Sequence, residues 1–299
     1  MHSGVARDLW CGLVDPMNFG LAAHRLHRTG DDCALLQWAQ LCSPNVRALG
    51  LKLHVTEGAY AALTSRGLLE GQIASVGEGR SGGLMRLVSR TAGGLSAGDA
   101  LDGIFFFIDP TDPTSLYPEA QALKRQCVIH GKPFVATLAG AIEWLAVERI
   151  CANPHVDLAK DIQRQLTLGS KTVALIAHDS RKSEMVTFAS EHFDTLSKFQ
   201  RRVATGTTGS LLNELAWSKQ WPTDTPWVSC FQSGPLGGDA QIAELVLDGI
   251  CHKVIFLRTL TLRANMKQTF NCWTVRYTAP VLAPHVSTLQ RWLDGGLLL

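Results

Sequence analysis

The stretch Lys171–Lys182, KTVALIAHDSRK, sets an uninterrupted apolar run directly against a loop of His, Asp, Ser, Arg and Lys. A continuous apolar run bounded by polar residues, without alternation, is the pattern of a strand buried on both faces, as in a parallel sheet. Downstream, Lys182–Leu196 places Met185, Phe188, Ala189 and Phe193 on one helical face. Arg201–Ala204 then reads as a strand, Ser210–Trp217 as a helix, Trp227–Phe231 as a strand, Ala240–Leu247 as a helix and Lys253–Leu257 as a strand. Strands alternating with helices in this way predict an α/β fold with a parallel sheet covered on both faces.

The first half carries a blurred version of the plan. Trp10–Val14, Lys52–Val55 and Gln72–Val76 are candidate strands, Ile104–Ile108 (IFFFI) is a buried strand, and Tyr117–His130 is a helix before Gly131–Lys132–Pro133 and a short strand Phe134–Thr137. The second half ends comparably, with Thr278–Ala279–Pro280 leading into Val281–Leu282. Superposing IFFFIDP on VIFLRTL aligns Asp109 with Thr259, an offset of 259 − 109 = 150, and Pro133 with Pro280 gives 280 − 133 = 147. Two landmarks at nearly one offset predict an internal duplication. The Asn-Pro and Gly-Ser punctuation in Ala152–Gly169 and its surroundings places the boundary there, giving domains 1–165 and 166–299, each a mostly parallel three-layer unit.

Composition bounds the partners. At 299 residues with 46% hydrophobic and 18% charged positions, the chain is long enough for about two cores of ~150 residues, and is not disordered. A net charge of +2 without a basic stripe excludes a polybasic nucleic-acid binder; Arg201–Arg202 and Arg263 read as isolated surface charges. Eight cysteines without a CxxC pair, and His130, His192, His252 and His285 without a partner at ligand spacing, predict idle thiols and no metal. The start, MHSGVARDLW, lacks an apolar leader core and no run approaches ~18 apolar residues, so a cytoplasmic protein without a membrane partner is expected.

Ligands of open parallel sheets collect at the carboxyl ends of strands. Three such ends in the second half carry reactive or anion-binding residue types. The first is His178–Lys182. The second is Thr205–Gly209 (TGTTG), offering hydroxyls and backbone N–H groups at a helix start. The third is Ser233–Asp239 (SGPLGGD). Singly, each has an ordinary explanation: a Thr/Gly loop is usually a turn, and an Asp before a helix is usually an N-cap. Together they describe a cradle for a small phosphorylated metabolite, with Lys182 supplying charge. A carboxylate beside a phosphate weakens binding by repulsion, so Asp239 is better explained as a base for proton abstraction next to a phosphate ester, with His178 polarising an oxygen as charge develops.

The motifs ALIAHDSRK (174–182), ATGTTG (204–209) and SGPLGGDAQI (233–242) resemble those of methylglyoxal synthase, over roughly Thr172 to Phe256. In the first half, FFFIDPTDPTSLYPEAQALKRQCVIHGKPFVAT (105–137) resembles the later part of the same fold, so the halves look like tandem methylglyoxal synthase-like domains. The resemblance implies a Rossmann-like sheet, a hexameric assembly that three tandem chains would imitate, and conversion of dihydroxyacetone phosphate to methylglyoxal and phosphate without a cofactor. It places Asp239 at the catalytic base and His178 and Asp179 at the active-site pair. Lys182, Thr205, Thr207, Thr208, Ser233 and Gly234 fall at phosphate-binding positions. The reaction so implied runs through an enediolate, with phosphate expelled while its C–O bond stands out of the enediolate plane.

The halves depart from the family in complementary ways. Arg258–Thr259 and TLRANMKQTF (261–270) replace an Asp-Pro and a later His and Asp in the second half. The first half keeps Asp109–Pro110, with Glu119 for the later Asp and Leu116 for the His, but has Val14–Asp15 for the His-Asp pair, VTEGAY (55–60) for the threonine loop and Leu84 for the base. Two readings stay open for Asp109 and Glu119: support for a composite site around Asp239, or a plain Asp-Pro turn in a structural remnant. Two functions also stay open: a lyase, or a non-catalytic phosphometabolite sensor, since the same fold serves as the allosteric domain of carbamoyl phosphate synthetase and as a purine-synthesis cyclohydrolase domain.

Overall fold

The computed structural model describes residues 17–257, apart from 97, 110–111, 113–117, 154, 157 and 159–166. In chain order the elements are β1 (Asn18–Ala23), α1 (Ala34–Ala48), β2 (Lys52–Val55), α2 (Glu57–Thr64), β3 (Ile73–Ser75), α3 (Leu84–Thr91), β4 (Gly103–Phe107), α4 (Pro118–Ile129), β5 (Phe134–Val135) and α5 (Leu138–Ala152). They continue with β6 (Thr172–Ala177), α6 (Lys182–Glu191), α7 (Phe193–Ser197), β7 (Arg201–Ala204), α8 (Gly206–Ser218), β8 (Ser229–Cys230), α9 (Gly238–Leu247) and β9 (Lys253–Leu257). Two sheets result, one ordered β3-β2-β1-β4-β5 and the other β8-β7-β6-β9. The chain is therefore a Rossmann-like α/β protein with two parallel sheets and helices around them.

The described residues divide into two compact units, the first holding 17–107, 118–134 and 144–158, the second 108–109, 112, 135–143 and 167–257. In the first, β1 pairs in parallel with β2 (Leu21 opposite Val55) and with β4 (Ala23 opposite Phe107). Its strand β4 is buried throughout, as an unbroken apolar run requires. Phe19 lies 5.1 Å from Phe105 and 4.5 Å from Trp144 between ring centroids, and Trp38, fully buried, lies 5.2 Å from Phe105. Gly20 leaves room for neighbouring side chains: a Cβ there would stand 2.4 Å from Ile104 Cδ1.

In the second unit β6 is buried at all six positions and pairs in parallel with β7 (Leu175 opposite Ala204) and β9 (Ala177 opposite Leu257). Ala174, Ile176, Val203, Ile242, Val246, Val254 and Phe256 form one core cluster between this sheet and α9. Because all these strands run the same way, the loops after Ala177, Ala204 and Cys230 leave from one edge of the sheet.

Several expectations change. Trp10–Val14 lies outside the described residues, and the first strand that β2 and β4 flank is Asn18–Ala23, whose composition, NFGLAA, has too little bulk to announce a buried strand. The helix expected over Lys182–Leu196 breaks at His192 (φ −114°, ψ 26°) into α6 and α7. Helix α8 starts four residues before the expected Ser210, because Thr205 in extended conformation serves as its N-cap and the Gly-Thr-Thr-Gly run forms the first turn. Of Trp227–Phe231 only Ser229–Cys230 pair as strand, since the buried Val228 instead bonds the Asn213 side chain through its N–H (2.9 Å) and carbonyl (3.0 Å). Arg202 is not a surface charge: its guanidinium donates to the carbonyls of Trp227, Leu196, Ser197 and Phe199 and stacks over the Trp221 and Trp227 rings. Residues 258–299, with Thr259, Arg263, Pro280 and His285, lie outside the described residues.

Candidate functional site

Each of the three loops is built by the strand that ends in it. After β6, the His178 N–H donates to the Leu257 carbonyl (3.0 Å), and its ring meets Phe256 edge to face at 5.3 Å. Asp179–Arg181 make one 3₁₀ turn, which swings Lys182 to the start of α6. The Lys182 ammonium lies 2.6 Å from an Asp179 carboxylate oxygen; the lysine is largely buried and the aspartate side chain 94% exposed. The cation is therefore held in place by a partner that solvent screens, which leaves most of its field available to an incoming anion.

After β7, Thr205 is buried but its side chain makes no capping bond to α8. A helix start has N–H groups without intrahelical acceptors and the positive end of the helix dipole, so an uncapped start favours an anion. Thr207 is exposed, whereas Thr208 is 1% exposed and its hydroxyl oxygen is buried without a hydrogen-bond partner among the described residues. A buried hydroxyl in that state costs free energy unless something binds it.

After β8, Ser233 caps a single turn, Gly234–Leu236, and Gly237 follows at φ +96°, a left-handed conformation that disfavours any residue with a Cβ. Gly238 is required for a different reason: a Cβ would lie 1.8 Å from the Gln232 carbonyl oxygen. This tight return puts Asp239 in the first turn of α9, its carboxylate lying over the Ser233–Gly234 turn, 3.3 Å from where a Gly234 Cβ would stand.

Gln232 joins the second and third loops. Its carbonyl accepts from Gly206 N–H at the start of α8 (3.0 Å), and its own N–H donates to the Gln241 side chain on α9 (2.9 Å). Gly206 is correspondingly tight, a Cβ there standing 3.1 Å from the Phe231 carbonyl oxygen. The threonine helix start and the turn bearing Asp239 are thus tied together through Gln232, beside β6, whose following loop carries His178 and leads to Lys182. Neither Gln232 nor Gln241 is singled out by sequence reasoning: an amide whose task is to brace two loops has no spacing signature. Asp109 is buried beyond β4, and Glu119 stands half-buried in the first turn of α4. Among the described residues no group of three or more His, Cys, Asp or Glu is arranged to hold a metal ion.

The first unit repeats the layout with different residues. Val14–Asp15 lies outside the described residues, and the residue that follows the central strand is His24, at the same step past β1 that His178 holds past β6 (178 − 24 = 154 and 177 − 23 = 154). Thr56 caps α2 in the extended conformation of Thr205. Gly82 (φ +102°) matches Gly237, and Leu84, which begins the following helix, holds the position that Asp239 holds in the other unit (84 − 82 = 2 and 239 − 237 = 2).

The fold and these loops define an α/β protein whose second sheet gathers three polar, glycine-bearing loops at one edge. No family model matches the chain. Among curated proteins, part of it is 43% identical over 84 residues to a methylglyoxal synthase of Brucella anthropi, covering 28% of this chain and 61% of that protein. It is 44% identical over 86 residues to a methylglyoxal synthase of Pseudoalteromonas atlantica, covering 29% and 57%. The chain spans about three-fifths of the length of these relatives. A crystal structure of methylglyoxal synthase from Elizabethkingia anophelis NUHP1 aligns at 29% identity over 41% of this chain and 76% of that one, with a TM-score of 0.34. The resemblance of this chain to methylglyoxal synthases is thus found in sequence at above 40% identity, over a little more than a quarter of its length. No described helix is long and apolar enough to cross a membrane.

Proposed function

We propose that the second unit is a methylglyoxal synthase-like lyase acting on dihydroxyacetone phosphate. The observation that carries this reading is the pairing of a proton acceptor with an anion cradle: Asp239 lies over the Ser233–Gly234 turn, which Gln232 fastens to an uncapped helix start holding the buried Thr208 hydroxyl. In the proposed reaction the phosphate rests on Thr205, Thr207, Thr208, Ser233 and Gly234, with Lys182 as counter-charge. The Asp239 carboxylate takes a proton from the hydroxymethyl carbon, and the C–H electron pair forms the C=C bond of an enediolate as the carbonyl oxygen becomes an oxyanion. His178 stabilises that oxygen. The hydroxyl on the former hydroxymethyl carbon then becomes the aldehyde carbonyl, its proton passing to the central oxyanion. The C=C bond shifts to the phosphate-bearing carbon, and the C–O bond breaks with its electron pair leaving on phosphate, which takes the proton from Asp239. The enol left at the central carbon tautomerises to methylglyoxal. A rigid cradle favours elimination by holding that C–O bond out of the enediolate plane.

A second reading, a phosphometabolite sensor without turnover, draws support from Leu84, which takes the base position in the similar glycine turn of the first unit. Incubating the full chain with dihydroxyacetone phosphate while following phosphate and methylglyoxal together separates the two. Equimolar release supports the lyase. Absence of both products, with phosphate still raising the melting temperature, supports the sensor.

A further inference from the structure

Two amide side chains brace the second unit around β8, and they differ in what they do for the fold. Asn213 on α8 is buried and clasps Val228 through both its N–H (2.9 Å) and its carbonyl (3.0 Å), so it replaces strand pairing inside the core. Gln241 on α9 is exposed, and its side-chain oxygen accepts from the Gln232 N–H at 2.9 Å. A single exposed hydrogen bond adds little to folding, because water competes for both groups. Stability therefore gives a poor account of Gln241; the place of its partner gives a better one.

The Gln232 peptide is the junction of two loops. Its carbonyl accepts from the N–H of Gly206, the first residue of α8 (3.0 Å), and lies so close to Gly238 that a Cβ there would stand 1.8 Å from the oxygen. A Cβ on Gly206 would in turn stand 3.2 Å from the Ser233 nitrogen. Moving Gln232 therefore disturbs both the start of α8 and the Ser233–Gly234 turn, over which the Asp239 carboxylate lies. Gln241 sits two residues beyond Asp239 on α9, and side chains two apart on a helix do not face each other. It acts on the site through the backbone and not by touching a ligand.

We propose that Gln241 is a positioning residue: by holding the Gln232 N–H it fixes the spacing between the Asp239 carboxylate and the start of α8, so that base and bound phosphate are set together. The catalytic consequence rests on the lyase reading, whereas the effect on phosphate binding rests on the loops alone. Proton abstraction depends on where the substrate carbon stands relative to the carboxylate, and a misplacement of about 1 Å can cost ~10²-fold in rate.

The test compares wild type, Gln241→Met, Gln241→Glu and Asn213→Leu as full chains. It reads melting temperature, kcat and KM on dihydroxyacetone phosphate, and calorimetric titration with inorganic phosphate. Gln241→Met keeps the side-chain length and removes the acceptor. It is expected to melt like wild type, to lower kcat at least about tenfold and to weaken phosphate binding several-fold. Gln241→Glu restores an acceptor oxygen and is expected to return kcat to within about threefold of wild type, a rescue that a merely structural role would not produce. Asn213→Leu is expected to lower the melting temperature and, assayed well below it, to keep more of kcat than Gln241→Met. Wild-type kcat and phosphate affinity in Gln241→Met overturn the proposal. So does a loss that follows the melting temperature and persists in Gln241→Glu, or an equal loss of kcat in Asn213→Leu. If wild type binds phosphate without turnover, the lyase reading fails and phosphate affinity decides: weakening in Gln241→Met that Gln241→Glu reverses upholds the brace, and unchanged affinity overturns it. A wild-type chain that neither turns over nor binds phosphate overturns both.

Discussion

Thr208 condenses the argument into one atom. Its hydroxyl is buried and has no acceptor or donor among the described residues, so the folded protein gains little from it. Replacing it by the near-isosteric valine removes an unsatisfied polar group while keeping the volume. Thr208→Val is therefore expected to leave the melting temperature unchanged or raise stability by up to about 1 kcal/mol, while weakening phosphate binding several-fold. Parallel melting and phosphate titrations check both halves; a destabilised variant with intact phosphate affinity would make the hydroxyl structural. Gly238 predicts the opposite. With the Gln232 carbonyl 1.8 Å from its would-be Cβ, Gly238→Ala forces apart the backbone joining the two loops. A loss of roughly 1–3 kcal/mol on chemical denaturation is expected, together with weakened phosphate binding.

At the scale of elements, the buried ion pair at the opposite end of the second sheet deserves a quantitative expectation. Lys253, which opens β9, places its ammonium 2.5 Å from the Glu143 carboxylate of α5; both side chains are nearly inaccessible, and Lys171 adds a second cation at 3.8 Å. Burial pushes Lys171 down to about 8, helped by Lys253 and opposed by Glu143. Glu143→Gln strands these cations in the interior and is expected to cost about 3–5 kcal/mol, measurable by urea unfolding, whereas Glu143→Met with Lys253→Met recovers most of the loss. A single variant as stable as wild type would show the pair to be solvated. Two histidines, His54 within β2 and His252 just before β9, contribute to the acid limb. His54 is held below its usual 6.5 by burial and then by Arg90, and His252 by burial and then by Lys171 and Lys253. In each case the folded state binds fewer protons than the unfolded, so the stability contributed is complete above about pH 6.5 and drains as pH falls below it. The melting temperature of the His54→Gln/His252→Gln chain is expected to fall less than that of wild type between pH 7 and 5, and equal slopes would refute the assignment.

For the molecule as a whole, what could be read in advance follows burial. β6, β7 and β9 are legible because strands buried on both faces are written as unbroken apolar runs, and Arg201–Ala204 and Lys253–Leu257 coincide with the observed bounds. β1 is not, because Gly20, Ala22 and Ala23 leave its sequence without the apolar bulk of such a run, the space at Gly20 being filled by Ile104. That omission shifts the His-bearing loop of the first unit to His24. The site residues of the second unit are legible from residue type and position at strand ends, but their coupling through the Gln232 backbone and the Gln241 side chain depends on how the loops fold back, which has no spacing signature. The proposed reaction turns on Asp239, whose place in the similar turn of the first unit is held by Leu84. The most direct measurement is therefore turnover of dihydroxyacetone phosphate by wild type and Asp239→Asn, with phosphate affinity determined on the same samples. The account predicts equimolar phosphate and methylglyoxal from wild type, a rate lowered roughly 10²–10⁴-fold in the variant, and phosphate bound as tightly or more tightly once the repelling charge is gone. A variant that turns over at the wild-type rate would contradict it.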